Sequence, residues 1–508
     1  MNTACFPTYI WQPPSLGVNT ACFPAYIWQP PSLGVNTACG YTYSSFCSSS
    51  LFVLLMSSQP PSDAEPQDED GSIYPEELYT FEEFEAEQEV LEDLQDEMVA
   101  ELKNDIEALE EGRRRSSGPR RYVARPREEA NQRLMDDYFT ENPIYNSTIF
   151  RRRFRMRRLL FLRIVHALGE WSPFFTLRVD AANRPGLSPI QKCIAAIRQL
   201  ANGSPADQLD EYIKIGESTA VECLKLFVEG VIAKFGAEYL RRPTVQDVER
   251  LMEIGERRGF PGMLGSVDCM HWHWKKCPYA WKGMYTRGDH GVPTIILEAV
   301  ASHDRWIWHA FFGVAGSNND INVLNQSHLF VEQLRGEAPQ VQYSINGRQH
   351  NIGYYLADGI YPEWPVFVKS IRKPQSDKHK LFAEKQEGAR KDVECAFGIL
   401  QSRFCILRRP ARLYDQGDLE NIMLACIILH NMIIEDEKDI EQVPIDLNEE
   451  ASTYTVQEAT ISHGENPEMD DVHNRNTALH DHEAYKQLQS DLIDHIWQKF
   501  GNTYRQNN

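Results

Sequence analysis

The stretch "MLGSVDCMHWHWKKCPYAW", Met263–Trp281, admits two readings that lead to different proteins. It places Cys269, His271, His273 and Cys277 within nine residues, as a zinc site would, and it places Asp268 inside a run rich in aromatic and β-branched residues, as a strand bearing one carboxylate would. On a strand, neighbouring side chains point to opposite faces. If Asp268 faces a site, Cys269, His271 and His273 take the other alternation. A zinc set would also need Cys277 to fold back after the basic turn Lys275-Lys276. The spacing Cys-x-His-x-His-x₃-Cys does not match the common finger or ribbon spacings. The aspartate is therefore read as the functional residue, and Trp272, Trp274, Trp281 and Tyr285 as packing beside a basic edge.

Working outward, "TIILEAVASHDRWIWHAFFGVAG" and "NIGYYLADGIYP" continue the strand texture, and "EKQEGARKDVECAFGILQSRF" and "LENIMLACIILHNMIIED" follow as helices. This order predicts a mixed α/β domain over 262–435. Asp358 ends the strand-like "YYLAD" just before a glycine turn, and Glu394 lies in mid-helix, with 35 residues between the two. Magnesium takes oxygen ligands and keeps several waters, so two or three converging carboxylates suffice to hold it. Two such ions about 4 Å apart can activate a hydroxyl and stabilise the leaving oxygen in phosphodiester cleavage. Spacing alone does not distinguish three such acids from solvated strand ends and salt-bridge partners.

Residues 131–255 read as helical. "SPIQKCIAAIRQLANG" has a Ser188 cap, Pro189 in the first turn and a stop at Gly203. A second helix starts at Ser204-Pro205, and after a break at Gly216 comes "ESTAVECLKLFVEGVIAKFG". Helix, helix, tight turn, helix is a helix-turn-helix pattern, whose last helix would offer Glu217, Ser218, Thr219, Glu222 and Lys225 to a DNA groove. An ordinary three-helix packing unit has the same pattern.

The chain has 508 residues, is 42% hydrophobic and carries a net charge of −21. That charge is unevenly spread. Glu65–Glu111 holds 20 acids and one base, and Glu435–Asp471 holds 13 acids and one base. Residues 1–64 add −1 and those from Val472 onward balance, so by difference 112–434 carries +11. A basic body between acidic segments is compatible with a polyanion partner. Eleven unevenly scattered cysteines suit reduced thiols. "LFVLLM" (Leu51–Met56) is too short to span a bilayer, and no membrane segment is expected. Residues 2–18 recur as 19–35 with Thr8 replaced by Ala25, and a third copy stops after four residues. Near-identity without helical or strand period suits a recent duplication, with Met56 expected as the native initiator. An acidic helix with a loose apolar stripe is expected over 79–111, followed by "GRRRSSGPRRYVARPR" (Gly112–Arg127), a basic linker of nuclear-localisation type.

"GSVDCMHW", "CPYAWKGMYTRGDHGVPTIILEAVASHDRWIWHAFFGVAGSNNDINVLNQS", "YYLADGIYP" and "KDVECAFGILQSRF" together resemble the PIF/Harbinger transposases, especially plant members, over roughly Tyr138 to Glu435. The resemblance implies a ribonuclease H-like nuclease core with an Asp-Asp-Glu triad at Asp268, Asp358 and Glu394. These three would bind Mg²⁺ or Mn²⁺ and carry metal-dependent DNA cleavage at transposon ends, with strand transfer in a full transposase. It further implies that Asp320, in "GSNNDIN", lies on a family motif beside the metal site or DNA, and that His271 takes the histidine position following the first aspartate. Lys275, Lys276 and Arg287 join them at a DNA-facing edge. A Myb/SANT-like partner protein is implied, with a nuclear location, no membrane, and a homo-oligomer left open.

The expected architecture is a helical helix-turn-helix domain (131–255) before an α/β ribonuclease H-like domain (262–435). A region 1–130 and an acidic tail 436–508 flank it, both read as disordered apart from the acidic helix and a terminal amphipathic helix "HEAYKQLQSDLIDHIWQKF". The alternative function is a domesticated, non-catalytic chromatin or transcription adaptor on the same fold. Deleting Gly112–Arg127 is expected to reduce nuclear accumulation of a fluorescent fusion in cells lacking a Myb-like partner; unchanged nuclear signal would remove the linker from import.

Overall fold

The computed structural model describes residues 123–181, 183–288, 291–438, 454–457 and 469–507. The repeat, the expected initiator Met56, the acidic helix and most of the basic linker lie outside the described residues.

Among the described residues seven α-helices come first: α1 Arg127–Tyr138, α2 Ser147–Phe154, α3 Arg158–Trp171, α4 Pro189–Asn202, α5 Leu209–Ile213, α6 Glu217–Tyr239 and α7 Val245–Arg257. The boundaries of α4 follow from its local chemistry. Ser188 and Gln191 form a capping box, Pro189 fills the first turn, and Gly203 closes the helix with φ +61°. The strands β1 Met263–His273, β2 Thr294–Ala301 and β3 Ile307–Ala315 then lead to the short helix α8 Asp320–Leu324. Entry into β1 requires Gly262, whose φ is +88° and whose absent Cβ would lie 2.2 Å from the Tyr343 ring. After these come β4 Gln340–Ile345, β5 Arg348–His350, β6 Tyr354–Ala357 and β7 Phe367–Lys369. The long helices α9 Asp377–Arg403 and α10 Gln416–Glu437 follow, and then β8 Tyr454–Gln457, α11 Met469–Leu479 and α12 His482–Asn507.

The main sheet has the order β3-β2-β1-β6-β7. Its first three strands are antiparallel neighbours, while β6 runs parallel to both β1 and β7. This mixed sheet is compatible with the ribonuclease H-like expectation. Every residue of β2 is buried, because both faces are covered. Helix α9 packs along β1, and α10 lies between α6 and β3. One core cluster runs from Leu134 through Phe227 and Trp272 to Ile433, so the stretches 131–255 and 262–435 share it.

Among the described residues α10 is the one helix long and apolar enough to cross a membrane, and its burial accounts for that composition. The Asn431 side chain ties it to both neighbours. Its Oδ1 accepts from Ile307 N at 3.0 Å, and its Nδ2 donates to Tyr239 O at 2.7 Å and Ile307 O at 2.8 Å.

Within 436–508, read as a disordered tail ending in an amphipathic helix, the described residues 454–457 and 469–507 form a strand and two helices, and 439–453 and 458–468 lie outside the described residues. Strand β8 pairs with β4, and α12 lies against α9, burying Leu488, Leu492, Ile493 and Ile496. Burying four large apolar side chains stabilises the docked helix by several kcal/mol before ordering costs. Asp491 adds contacts, accepting from Arg348 Nη1 at 2.8 Å and lying 3.1 Å from His350 Nε2. The amphipathic pattern of α12 was legible in the sequence; the helix its apolar side covers was not.

His430 sits beside Asn431 and is fully buried. Arg403 donates to its Nδ1 at 3.0 Å, which leaves the proton on Nε2, facing Arg305 O at 2.9 Å. Burial first, and the Arg403 charge second, push this imidazole from 6.5 down to about 3. Below pH 6.5 the unfolded chain therefore takes up a proton that the folded chain refuses, so stability is complete above that pH and falls toward pH 3. His430→Gln should flatten the acid limb of the unfolding free energy by up to about one proton, measured by urea unfolding at stepped pH.

Candidate active site

Strand β1 sets two faces. Ser266 Oγ donates to Ala389 O on α9 at 3.2 Å, and Asp268 meets Arg390 on the same helix, so the even-numbered residues face α9. Cys269 points the other way, with its Sγ 3.8 Å from Tyr361 Oη. In the parallel pairing Ser266 lies opposite Leu356; two residues further along, Asp268 on β1 is level with Asp358, the residue after β6. Glu394 stands one turn beyond Arg390 on α9, where positions four apart share a face.

Arg390 holds two of the acids at once. Its Nη1 is 3.3 Å from Asp268 Oδ2 and its Nη2 is 2.7 Å from Glu394 Oε1. Asp268 Oδ1 also accepts from Cys269 N at 2.8 Å. Burial nevertheless dominates and pushes the Asp268 carboxyl up to about 6; the Cys269 amide and Arg390 oppose this, while Asp320 and Glu394 reinforce it. Asp320, the first residue of α8, is raised chiefly by burial and next by the charge of Asp358, with Cys269 and Arg287 working against both. Asp268 is thus coupled to Asp320 and Glu394, and Asp320 to Asp358. The Asp358 carboxylate caps its own turn, accepting from Ile360 N at 2.7 Å.

The other residues singled out in the sequence are more dispersed. His271 Nδ1 is 2.9 Å from Thr294 Oγ1 on the face opposite Asp268. Lys275 and Lys276 are exposed in the turn after β1, and Arg287 is half-buried. On α6, Ser218 and Glu222 are exposed, Thr219 is half-buried, and Lys225 Nζ is 2.6 Å from Asp418 Oδ2 in the first turn of α10. The buried face of α6 packs on α10 and α4. The candidate zinc residues diverge: Cys269 lies against Tyr361, His271 against Thr294, and Cys277 is buried with its thiol 3.6 Å from Pro278 O.

Among the described residues no group of three or more His, Cys, Asp or Glu side chains is gathered tightly enough to hold a metal as it stands. The guanidinium of Arg390 lies between Asp268 and Glu394 and pairs with both. All the donors there are carboxylate oxygens, which suits Mg²⁺ or Mn²⁺ and not a softer metal. Sequence reading missed Arg390, although its position four residues before Glu394 is a legible signal. It also missed Glu298, the cross-strand neighbour of Cys269, whose fully buried carboxylate has Oε2 3.3 Å from His309 Nε2.

A family profile described as a plant transposon protein matches residues 237–441, which contain all four of these acids. Over these residues the chain is similar to the Harbinger-type, transposase-derived proteins. A second profile, for a domain of unknown function, matches residues 131–169. Among its Harbinger-type relatives, HARBI1 of Xenopus laevis, provisionally named a nuclease, is 25% identical over 305 residues, or 57% of this chain and 82% of that protein. The ALP1-like protein of Arabidopsis thaliana is 23% identical over 274 residues, covering 52% and 66% of the two chains. The Arabidopsis protein named antagonist of like heterochromatin protein 1 is 24% identical over 259 residues, covering 49% and 63%. No solved structure matches the chain.

Two substitutions should move the Asp268 titration in opposite directions in metal-free buffer. Arg390→Gln removes an opposing cation and should raise it above about 6, whereas Asp320→Asn removes a like charge and should lower it. Carboxyl ¹³C NMR of selectively labelled protein reads both shifts.

Proposed function

We propose that this Harbinger-type protein is a divalent-metal-dependent DNA endonuclease that cleaves phosphodiester bonds at transposon ends, with strand transfer as the further step of a complete transposase. The observation that carries the reading is the gathering of Asp268 and Glu394 on one guanidinium, within the electrostatic reach of Asp320 and Asp358. Asp268, Asp358 and Glu394 would hold Mg²⁺ or Mn²⁺, which when bound supplies a Lewis acid and a more acidic water or hydroxyl. The chain contributes the rest. Partial burial of Asp268 strengthens the charge interactions it makes. Arg390 fixes the separation of Asp268 and Glu394 and neutralises part of their mutual repulsion. Asp320 adds negative charge beside Asp268, and Arg287 offsets part of the charge on Asp320.

A nuclear location and a Myb/SANT-like partner that delivers the protein to its DNA belong to the same proposal. The relative named for antagonism of a heterochromatin protein favours a second reading, in which the fold serves as a chromatin adaptor without cutting.

Asp268→Asn, Asp358→Asn and Glu394→Gln preserve size and remove charge. Each should leave the fold intact and lower metal-dependent nicking by orders of magnitude, and the losses should not add because the three act as a unit. Manganese should support cleavage at least as well as magnesium, whereas calcium, looser in its geometry, should not. The assay is plasmid nicking with matched DNA ends and the partner protein present. Equal nicking by wild type and all three variants would overturn the nuclease reading, and no nicking by any of them would favour the adaptor.

A further inference from the structure

Beyond the end of β1 the chain builds an edge that the carboxylate site does not use. Residues 269–288 contain four Lys or Arg and no acid, and residues 403–414 repeat that balance. The two segments are joined along their backbones. Lys275 N donates to Ala411 O at 3.1 Å, and Ala411 N donates to His273 O at 2.8 Å. Trp272 Nε1 donates to Arg409 O and Trp274 Nε1 to Leu413 O, each at 2.9 Å. The edge is therefore held rigidly by buried tryptophans.

Its outer surface is unusual for a soluble fold. Tyr279 is 89% exposed, Tyr414 66% and Trp281 42%. Trp281 is supported from below by Trp274 and Tyr285, with ring centroids 6.0 and 6.1 Å away. Lys282 Nζ lies 5.5 Å from the centre of the Tyr279 ring, and Lys276 Nζ lies 5.8 Å from that of Tyr414. Among the described residues none of Lys275, Lys276, Lys282, Arg408 and Arg412 has a carboxylate partner. Open aromatic faces interleaved with uncommitted cations are the elements that bind single-stranded nucleic acid, where bases stack on rings and the backbone is neutralised by cations. A duplex satisfies the cations but hides its base faces, so it leaves the rings without a partner.

We propose that this edge holds unpaired DNA bases, stacked on Tyr279, Trp281 and Tyr414, next to the site of cleavage. The proposal deepens the nuclease reading, and rests on it for the choice of DNA as ligand. Asp268 lies five residues back from His273 on the strand that leads into the edge, roughly 17 Å of extended chain. DNA bound there would therefore meet the carboxylates with its bases already unstacked.

The test uses the full chain in EDTA, so that binding is read without cleavage. A fluorescent oligothymidine 20-mer and a duplex of the same length are titrated by anisotropy at several salt concentrations. Tyr279→Ala and Tyr414→Ala should each weaken single-strand binding about tenfold while leaving duplex affinity and its salt slope unchanged. Tyr279→Phe, which keeps the ring, should bind as wild type. Replacing Lys275 and Lys276 together by Ala should weaken both DNAs and shrink both salt slopes. Unchanged single-strand affinity in the two alanine variants, equal losses on single strand and duplex, or wild-type preference for anionic phosphatidylserine vesicles over DNA would each overturn the proposal. Because no metal is present, failed nicking elsewhere does not touch this result; normal nicking with unaffected tyrosine variants would leave the nuclease reading standing without the stacking edge.

Discussion

The amide of Asn431 joins the helical part of the molecule to the sheet. It occupies the backbone N–H and C=O of Ile307, where β3 begins, and caps the carbonyl of Tyr239, where α6 ends. A buried amide with three satisfied bonds is costly to replace, because any apolar substitute leaves three desolvated backbone groups without partners. This contact sets how α10 lies across both α6 and the sheet. The same helix carries His430, which turns Arg403 at the end of α9 inward, so the C-terminal end of the helix bearing Glu394 is held from the same place.

The candidate site depends on a balance between desolvation and neutralisation. Four acids within reach of one another in a half-buried setting would repel, and burial alone drives Asp268 toward its neutral form. Arg390 limits that effect because one planar guanidinium can bond two carboxylates in different directions. The arrangement keeps the carboxylates close before any external cation arrives. A lysine would offer a single point charge and would not span the two acids with the same geometry.

Much of this was legible in the sequence. The alternation of Asp268 against Cys269, His271 and His273 predicted opposite faces, and the Ser188-Pro189…Gly203 signature predicted α4 with its caps. Asp358 was legible as a strand end because a glycine turn follows it, and Glu394 as mid-helix because of its apolar neighbours. Three things were not legible. The Arg390 bridge depends on the register of α9 against β1, which no local pattern encodes. The pairing of β8 with β4 joins segments more than a hundred residues apart through four residues that carry no strong strand signal. Lys225 sits on the exposed side of an amphipathic helix, and its attachment to Asp418 arises only when α10 is laid across α6.

That crossing also governs the order in which the chain can fold during synthesis. Helix α6 ends at Tyr239 and its principal neighbour α10 begins at Gln416. Roughly 180 residues must therefore leave the ribosome before the apolar side of α6 is covered, about 10 to 40 seconds at ordinary translation rates. During that interval the side of α6 that meets α10 lacks its partner, and so does the Tyr239 carbonyl that Asn431 caps. The N-terminal helices are thus bound to wait for α10, and a nascent chain arrested before it presents the uncovered side of α6 to chaperones instead of an independently folded domain.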